Sequence, residues 1–160
     1  MDASRDPYLH GERLDPAAHD GWSLSLPIVV RFADVDAFNH VNNAVYLSYC
    51  EMGRVAYFQA AAALQGPRQT QFILARAEVD FRRPVELGDA LRVLVRAEHI
   101  GTKSFRLAYR LLVTQQGVEH VACESISVQV AFDYAENSSI PVPPHIITSL
   151  EAFEGRRLRD

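Results

Sequence analysis

The chain has 160 residues, 48% of them hydrophobic, and a formal net charge of -4 at pH 7. That length and apolar content suit one ordinary domain with a proper core. The acidic balance argues against a general nucleic-acid binder, which needs a basic face to neutralise phosphates. Residues 1–20 mix Asp, Arg, His and Pro without an apolar run, so neither a secretion signal nor a membrane span is expected there and a cytoplasmic location is.

No repeat, low-complexity block or Gly/Ser linker divides the chain, so residues 1–22 are expected as an N-terminal arm, loosely docked, and residues 23–160 as a single domain. Leu24, Leu26, Ile28, Val30 and Phe32 alternate with Ser25, Pro27, Val29 and Arg31, the period of two of a strand with one buried face. Pro27 suits an edge or early-strand position. From residue 42 to about 64 the period becomes helical: Val45, Tyr49, Met52, Ala56 and Ala60 form one stripe, with Tyr46, Cys50, Tyr57 and Leu64 beside it. Such a helix is expected to be buried rather than superficial, and Gly66-Pro67 is a stop signal.

Strands then follow one another. Residues 72–82 carry Ile73, Ala75, Ala77, Val79 and Phe81 on one face; 91–98 and 105–114 alternate similarly; Gln115-Gln116-Gly117 reads as a hairpin turn; and a last strand spans about 118–132. Pro141, Pro143 and Pro144 introduce a short helix near residues 145–153. Cys50 and Cys123 sit inside these regular stretches and are expected as free core thiols. The order β-α-β-β-β-β predicts an α+β fold. Its economical solution is the hotdog fold, a curved antiparallel sheet of about five strands wrapped around one long central helix, although other α+β folds share the order.

The chemistry concentrates between Asp34 and Arg54, where a strand ends in two acids, a tight loop follows, and a helix begins. Such a junction gathers a carboxylate and unpaired backbone N–H groups, and acyl transfer needs a base or nucleophile together with donors for an oxyanion. Taken alone, Asp36 also fits an Asx-turn or helix-capping acid. Asp34, two residues earlier in extended chain, is expected to point away from it in a structural role. Asn42 and Asn43 are good helix-start residues, and Glu51 stands three residues before Arg54, a spacing that suits an ion pair. Tyr46 and Tyr49 could line an acyl pocket, but aromatic residues at helical spacing are more often core, and they are read as core here.

This segment resembles the 4-hydroxybenzoyl-CoA thioesterase family of hotdog enzymes. The pattern Asp-x-Asp-x-x-Gly-His-Val-Asn-Asn-x-x-Tyr-Leu-x-Tyr-x-Glu-x-x-Arg is followed from Asp34 to Arg54 except at Asn39, which stands at the Gly. Asn is the non-glycine residue that best tolerates the left-handed backbone such a Gly marks. Arg83-Pro84-Val85, Gly88-Asp89 and Gly101-Thr102-Lys103-Ser104 also look like the family, so the likeness covers about residues 24–150.

The resemblance implies hydrolysis of an acyl-CoA, or of an acyl-carrier-protein thioester. Asp36 would act as nucleophile or general base, and the backbone N–H of Asn43 would polarise the thioester carbonyl. His40, Arg83, Lys103 and Ser104 are the candidate substrate-binding residues, with Arg82 and Thr102 as further phosphate or pantetheine contacts; on its own chemistry His40 is expected to hold the loop by hydrogen bonds. No cofactor is implied, and the spacing around His40 offers no metal-ligand set. The family further implies a homodimer, or a tetramer built as a dimer of dimers, with sites between subunits. The rival is a non-catalytic acyl-CoA-binding hotdog protein. A hotdog hydratase fits poorly, because His40 follows Asp36 by four residues with no Pro between.

Overall fold

The computed structural model describes residues 10–61 and 72–160. In chain order they form β1 (Glu12–Arg13), β2 (Leu24–Ile28), a 3-10 turn (Phe32–Asp34), α1 (Asn43–Ala60), β3 (Phe72–Phe81), β4 (Ala90–Ile100), β5 (Ser104–Gln115), β6 (Val118–Asp133), β7 (Ser138–Ser139) and α2 (Pro144–Glu154). The strands make one antiparallel sheet in the order β1-β2-β4-β5-β6-β3, with β7 paired to β6. The expected five strands are its body; β1 and β7 are two-residue additions. The helix stop at Gly66-Pro67, the expected last helical turn around Leu64, and residues 1–9 of the expected arm lie outside the described residues.

The first strand is shorter than its alternation suggests. After Ile28 the chain leaves the sheet, and Arg31 closes a reciprocal cap on the 3-10 turn, its backbone N–H donating to the Asp34 carboxylate at 2.9 Å. Within residues 10–22, Glu12 and Arg13 pair with Ser25 and Leu24, while Leu14 and Trp22 are buried on the outer face of the sheet with Leu94, Ala108 and Leu112. The guanidinium groups of Arg96 and Arg110 stack on the Trp22 ring, 4.6 and 5.1 Å from its centre.

On the inner face α1 crosses β4 closely enough that a Cβ at Gly53 would stand 2.9 Å from both Val93 Cγ1 and Val95 Cγ2. Tyr46, Tyr49, Cys50, Ala56, Tyr57 and Phe58 face the core. The helix is nevertheless not buried all round: Ala44, Leu47, Ser48 and Glu51 are exposed along one flank. An open sheet covers only part of a helix, and here the uncovered flank lies beside β3, the last strand of the sheet. At the far end α2 docks through Glu154, whose carboxylate accepts from Ser23 Oγ and Tyr57 Oη at 2.5 Å and from the Ala97 N–H at 2.7 Å.

A register shift in β3 between Leu74 and Arg76 changes the expected face assignment. Leu74, not Ile73 or Ala75, stands opposite Gln129 and so shares the inner face with Ala77, Val79 and Phe81. An extra residue reverses every side chain beyond it, and periodicity by itself carries no sign of where that happens.

Candidate active site

Three loop features place Asp36. Val35 bridges to Val41, closing the loop at its neck. Asn39 takes φ 62, the left-handed conformation expected of an Asn at that position. The Asp36 N–H donates to the His40 carbonyl at 2.8 Å, and Asp36 Oδ1 accepts from the N–H groups of Phe38 (2.8 Å) and His40 (3.2 Å). The Asx-turn is therefore real, but it uses one carboxylate oxygen. Oδ2 has no hydrogen bond among the described residues, and Asp36 is exposed in the single chain.

Asp34 is the opposite case. It is 2% exposed and accepts from Arg31 Nη2 at 2.7 Å and from the Tyr49 hydroxyl at 2.8 Å. The hydrogen-bonded Arg31 guanidinium holds its carboxyl below the ordinary 3.8, against the pull of desolvation. This buried anchor fixes the strand-to-helix junction, and Asp34 also accepts the Asn42 N–H on its backbone carbonyl at 2.8 Å.

The helix start completes the arrangement. Asn42 is the cap: its side chain accepts from the Ala44 N–H at 3.0 Å and its carbonyl from Val45 at 2.8 Å. The Asn43 N–H is left without an acceptor among the described residues. Asp36, His40, Asn43 and Arg83 line one cleft of about 300 Å³, together with Val41, Tyr46, Phe81, Arg82 and Pro84. His40 Nε2 stands 3.8 Å from Glu86 Oε1, and Arg83 Nη1 donates to Gln115 Oε1 at 3.3 Å.

Lys103 and Ser104 are not brought to this cleft within one chain. Lys103 Nζ donates to the Ser139 carbonyl at 3.1 Å, and Ser104 pairs with Val130. The cleft is level with Phe81, which pairs with Cys123. Seven residues of β6 separate the two levels, about 23 Å at the rise of a strand.

Tyr46, read as core in preference to a pocket wall, is buried and also lines the cleft, its ring edge-on to Phe81 at 5.1 Å. Tyr49 is core. Glu51 makes the expected pair with Arg54, 3.4 Å apart, and is itself well exposed, so the pair adds little stability. Both cysteines are free and buried. Burial pushes the Cys50 thiol up to about 11 and the Cys123 thiol to about 12, which leaves neither as a thiolate nucleophile near neutrality. Among the described residues no three His, Cys, Asp or Glu side chains cluster as a metal site, and no helix is long and apolar enough to cross a membrane.

The model of the thioesterase-like superfamily matches residues 30–150, spanning the loop, the helix and all the long strands after it. The chain belongs to the thioesterase-like superfamily. It is a hotdog-fold thioester hydrolase. A thioesterase of Thermus thermophilus, solved with coenzyme A and Zn, is 37% identical over 87% of this chain and 99% of its own, with a TM-score of 0.74. The 1,4-dihydroxy-2-naphthoyl-CoA hydrolase of Synechococcus elongatus is 33% identical over 56% of this chain and 70% of its own length. The long-chain acyl-CoA thioesterase FadM of Escherichia coli is 24% identical over 80% and 97%. The match to YsmA of Bacillus subtilis, at 32% identity, spans about half of that protein. Superfamily membership leaves the identity of the acyl group to the cleft itself.

Proposed function

We propose that this superfamily member hydrolyses acyl-CoA thioesters in the Asp36 cleft. The observation that carries the reading is the pairing, in one cleft, of a carboxylate oxygen and a helix-terminal N–H that the fold leaves uncommitted. The thioester carbonyl oxygen accepts from the Asn43 N–H, which stabilises the charge that develops there. Asp36 then acts in one of two ways. As base it takes a proton from water while the water oxygen attacks the carbonyl carbon; the C–S bond breaks, and the thiolate recovers that proton. As nucleophile its Oδ2 attacks directly and expels the thiolate, and water then hydrolyses the mixed anhydride, restoring the carboxylate and supplying the thiol proton. His40 orders the loop by its N–H to Asp36. Arg83, with Arg82, supplies positive charge at the cleft for the phosphates of CoA.

The same reading makes the working unit a homodimer, with a dimer of dimers as its larger form. Support comes from β3, ten residues long at the end of the sheet, and from Leu47, Leu74 and Phe81, each more than two-fifths exposed beside it. A two-fold axis that set two β3 strands antiparallel would carry the Lys103–Ser104 end of one subunit toward the Asp36 end of the other. Lys103 and Ser104 would then be substrate contacts from the second subunit. A cytoplasmic setting accords with two unpaired cysteines.

The test is release of free thiol by the purified protein from a panel of acyl-CoA and acyl-carrier-protein thioesters, with sedimentation in parallel. Hydrolysis of acyl-CoA by a dimer or tetramer is expected. Turnover of carrier-protein thioesters alone, or full activity in a monomer, would overturn the substrate or the assembly respectively.

A further inference from the structure

Strand β6 breaks the rule that the inner face of a sheet is apolar. In Ser125-Ile126-Ser127-Val128-Gln129-Val130 the apolar residues would be expected inside, yet the register sets Ser125, Ser127 and Gln129 opposite Tyr109, Leu107 and Phe105 of the core. These three polar side chains are 5%, 3% and 2% exposed. Buried polar groups each cost about 1–3 kcal/mol unless hydrogen-bonded, so a run of three beneath the central helix calls for a partner.

Their mutual bonds do not use every proton. Gln129 Nε2 donates to Ser127 Oγ at 2.8 Å, and Ser127 Oγ lies 2.7 Å from the Tyr109 hydroxyl. Two hydroxyl hydrogens share that single contact. Whichever oxygen donates across it, the other hydroxyl hydrogen has no acceptor among the described residues. Ser125 adds a third hydroxyl, close enough to the Cys50 thiol to oppose the rise that burial gives that thiol. Arg54, 13% exposed, reaches the same place from α1.

These donors are not sealed in the core. Ser125, Ser127, Tyr109 and Arg54 line a cleft of about 200 Å³ between α1 and β3, whose apolar wall includes Leu47 and Leu74. It adjoins the Asp36 cleft along the helix, since Asn43 and Leu47 are one turn apart on one face. The Tyr46–Phe81 ring pair marks the boundary between the two clefts. Val79 pairs with Ser125 and Ala77 with Ser127, so the hydroxyls stand two and four residues beyond the Phe81 level, about 7 and 13 Å along the sheet. From the Asp36 cleft the α1–β3 groove runs in that direction. A cavity of about 150 Å³ holds a benzene ring, so this one suits an acyl group of ring size or a medium chain.

We propose that Ser125, Ser127, Tyr109 and Arg54 form a subsite for an oxygen atom carried on the acyl group remote from its thioester. The enzyme therefore prefers acyl-CoAs whose acyl group bears a hydroxyl, carbonyl or carboxylate oxygen there over plain hydrocarbon ones. The inference rests on the acyl-CoA hydrolase reading and names its substrate class. A site built to hydrogen-bond such an oxygen discriminates strongly against the analogue that lacks it, whose binding leaves the buried donors unpaired.

The experiment compares kcat/KM for two matched pairs, octanoyl-CoA with 8-hydroxyoctanoyl-CoA and benzoyl-CoA with 4-hydroxybenzoyl-CoA. At least a tenfold preference for the oxygenated member of one pair is expected. Ser127→Ala and Tyr109→Phe should each narrow that ratio below threefold, chiefly by lowering the oxygenated rate. Equal rates within both pairs, or variants that slow both members alike and keep the ratio, would overturn the subsite. Calorimetric binding of the same four thioesters to Asp36→Asn separates the two readings. No hydrolysis by the parent protein but a tenfold tighter oxygenated ligand sinks the hydrolase reading alone; hydrolysis without preference in rate or binding sinks the subsite alone.

Discussion

Asp36 and Asn43 face one cleft from the two ends of the strand-to-helix turn, and each keeps one hydrogen-bonding atom out of the fold's own network. Asp36 commits Oδ1 to the Phe38 and His40 N–H groups and leaves Oδ2. At the helix start the Ala44 and Val45 N–H groups are taken by Asn42, and that of Asn43 is left. The turn that holds the acid is also the turn that positions the donor.

Asp36→Asn should separate the acid from its scaffold. An amide oxygen still accepts the two loop N–H bonds, so the melting temperature should stay within about 2 °C, while kcat falls by about a hundredfold to ten-thousandfold. Asp36→Ala removes the acceptor as well and should add a loss of about 1 kcal/mol. Near-normal turnover in the Asn variant would remove Asp36 from the chemistry.

The backbone donor can be deleted without breaking the helix. Asn43 is the first helical residue, where Pro is tolerated, and Asn42 has φ -60 and ψ 135, a conformation a following Pro permits. Asn43→Pro is expected to melt like the parent and to lose about a hundredfold to a thousandfold in kcat. Asn43→Ala, which keeps the N–H, is the control; equal losses in the two variants would assign the effect to the side chain.

Asp34 should govern part of the acid limb of stability. Its folded pKa lies below the unfolded value, so its contribution is present above about pH 4 and is lost as pH falls through the folded value. Melting curves of Asp34→Asn should be lower at pH 7 and flatter below pH 4 than those of the parent. Tyr49→Phe, which removes one buried donor to that carboxylate, should cost about 1–3 kcal/mol and shift the onset of acid unfolding upward.

Gly53→Ala sets helix propensity against packing. Alanine gains about 1 kcal/mol in a helix, but its Cβ would meet two valine methyls on β4 at 2.9 Å. Overpacking of this kind costs about 1–3 kcal/mol. Net destabilisation is expected, read as a melting temperature lower by several degrees; a rise would mean that α1 can lift from β4.

The Asp34–Arg54 segment was legible because its conformation is set by neighbours in sequence. An Asx-turn, an Asn in the left-handed region and an Asn cap are local devices, and their residues stand within a few positions of one another. The same locality made α1 and the long strands readable from their periods. The flank of α1 that stays open was not, since burial depends on how far the sheet curls around the helix.

From residue order alone came the α+β class, the long helix, and the structural role of Asp34; the family resemblance of the Asp34–Arg54 segment singled out Asp36 and the Asn43 N–H as candidates. Tertiary structure alone decided that Arg83, Tyr46 and Phe81 join them while Lys103 and Ser104 lie about 23 Å away along the sheet. It alone turned Ser125, Ser127 and Gln129 inward. Those outcomes depend on strand order and on the pairing of β6 with β5, and register is a relation between distant segments: one residue of slip exchanges the two faces of a strand without altering its sequence.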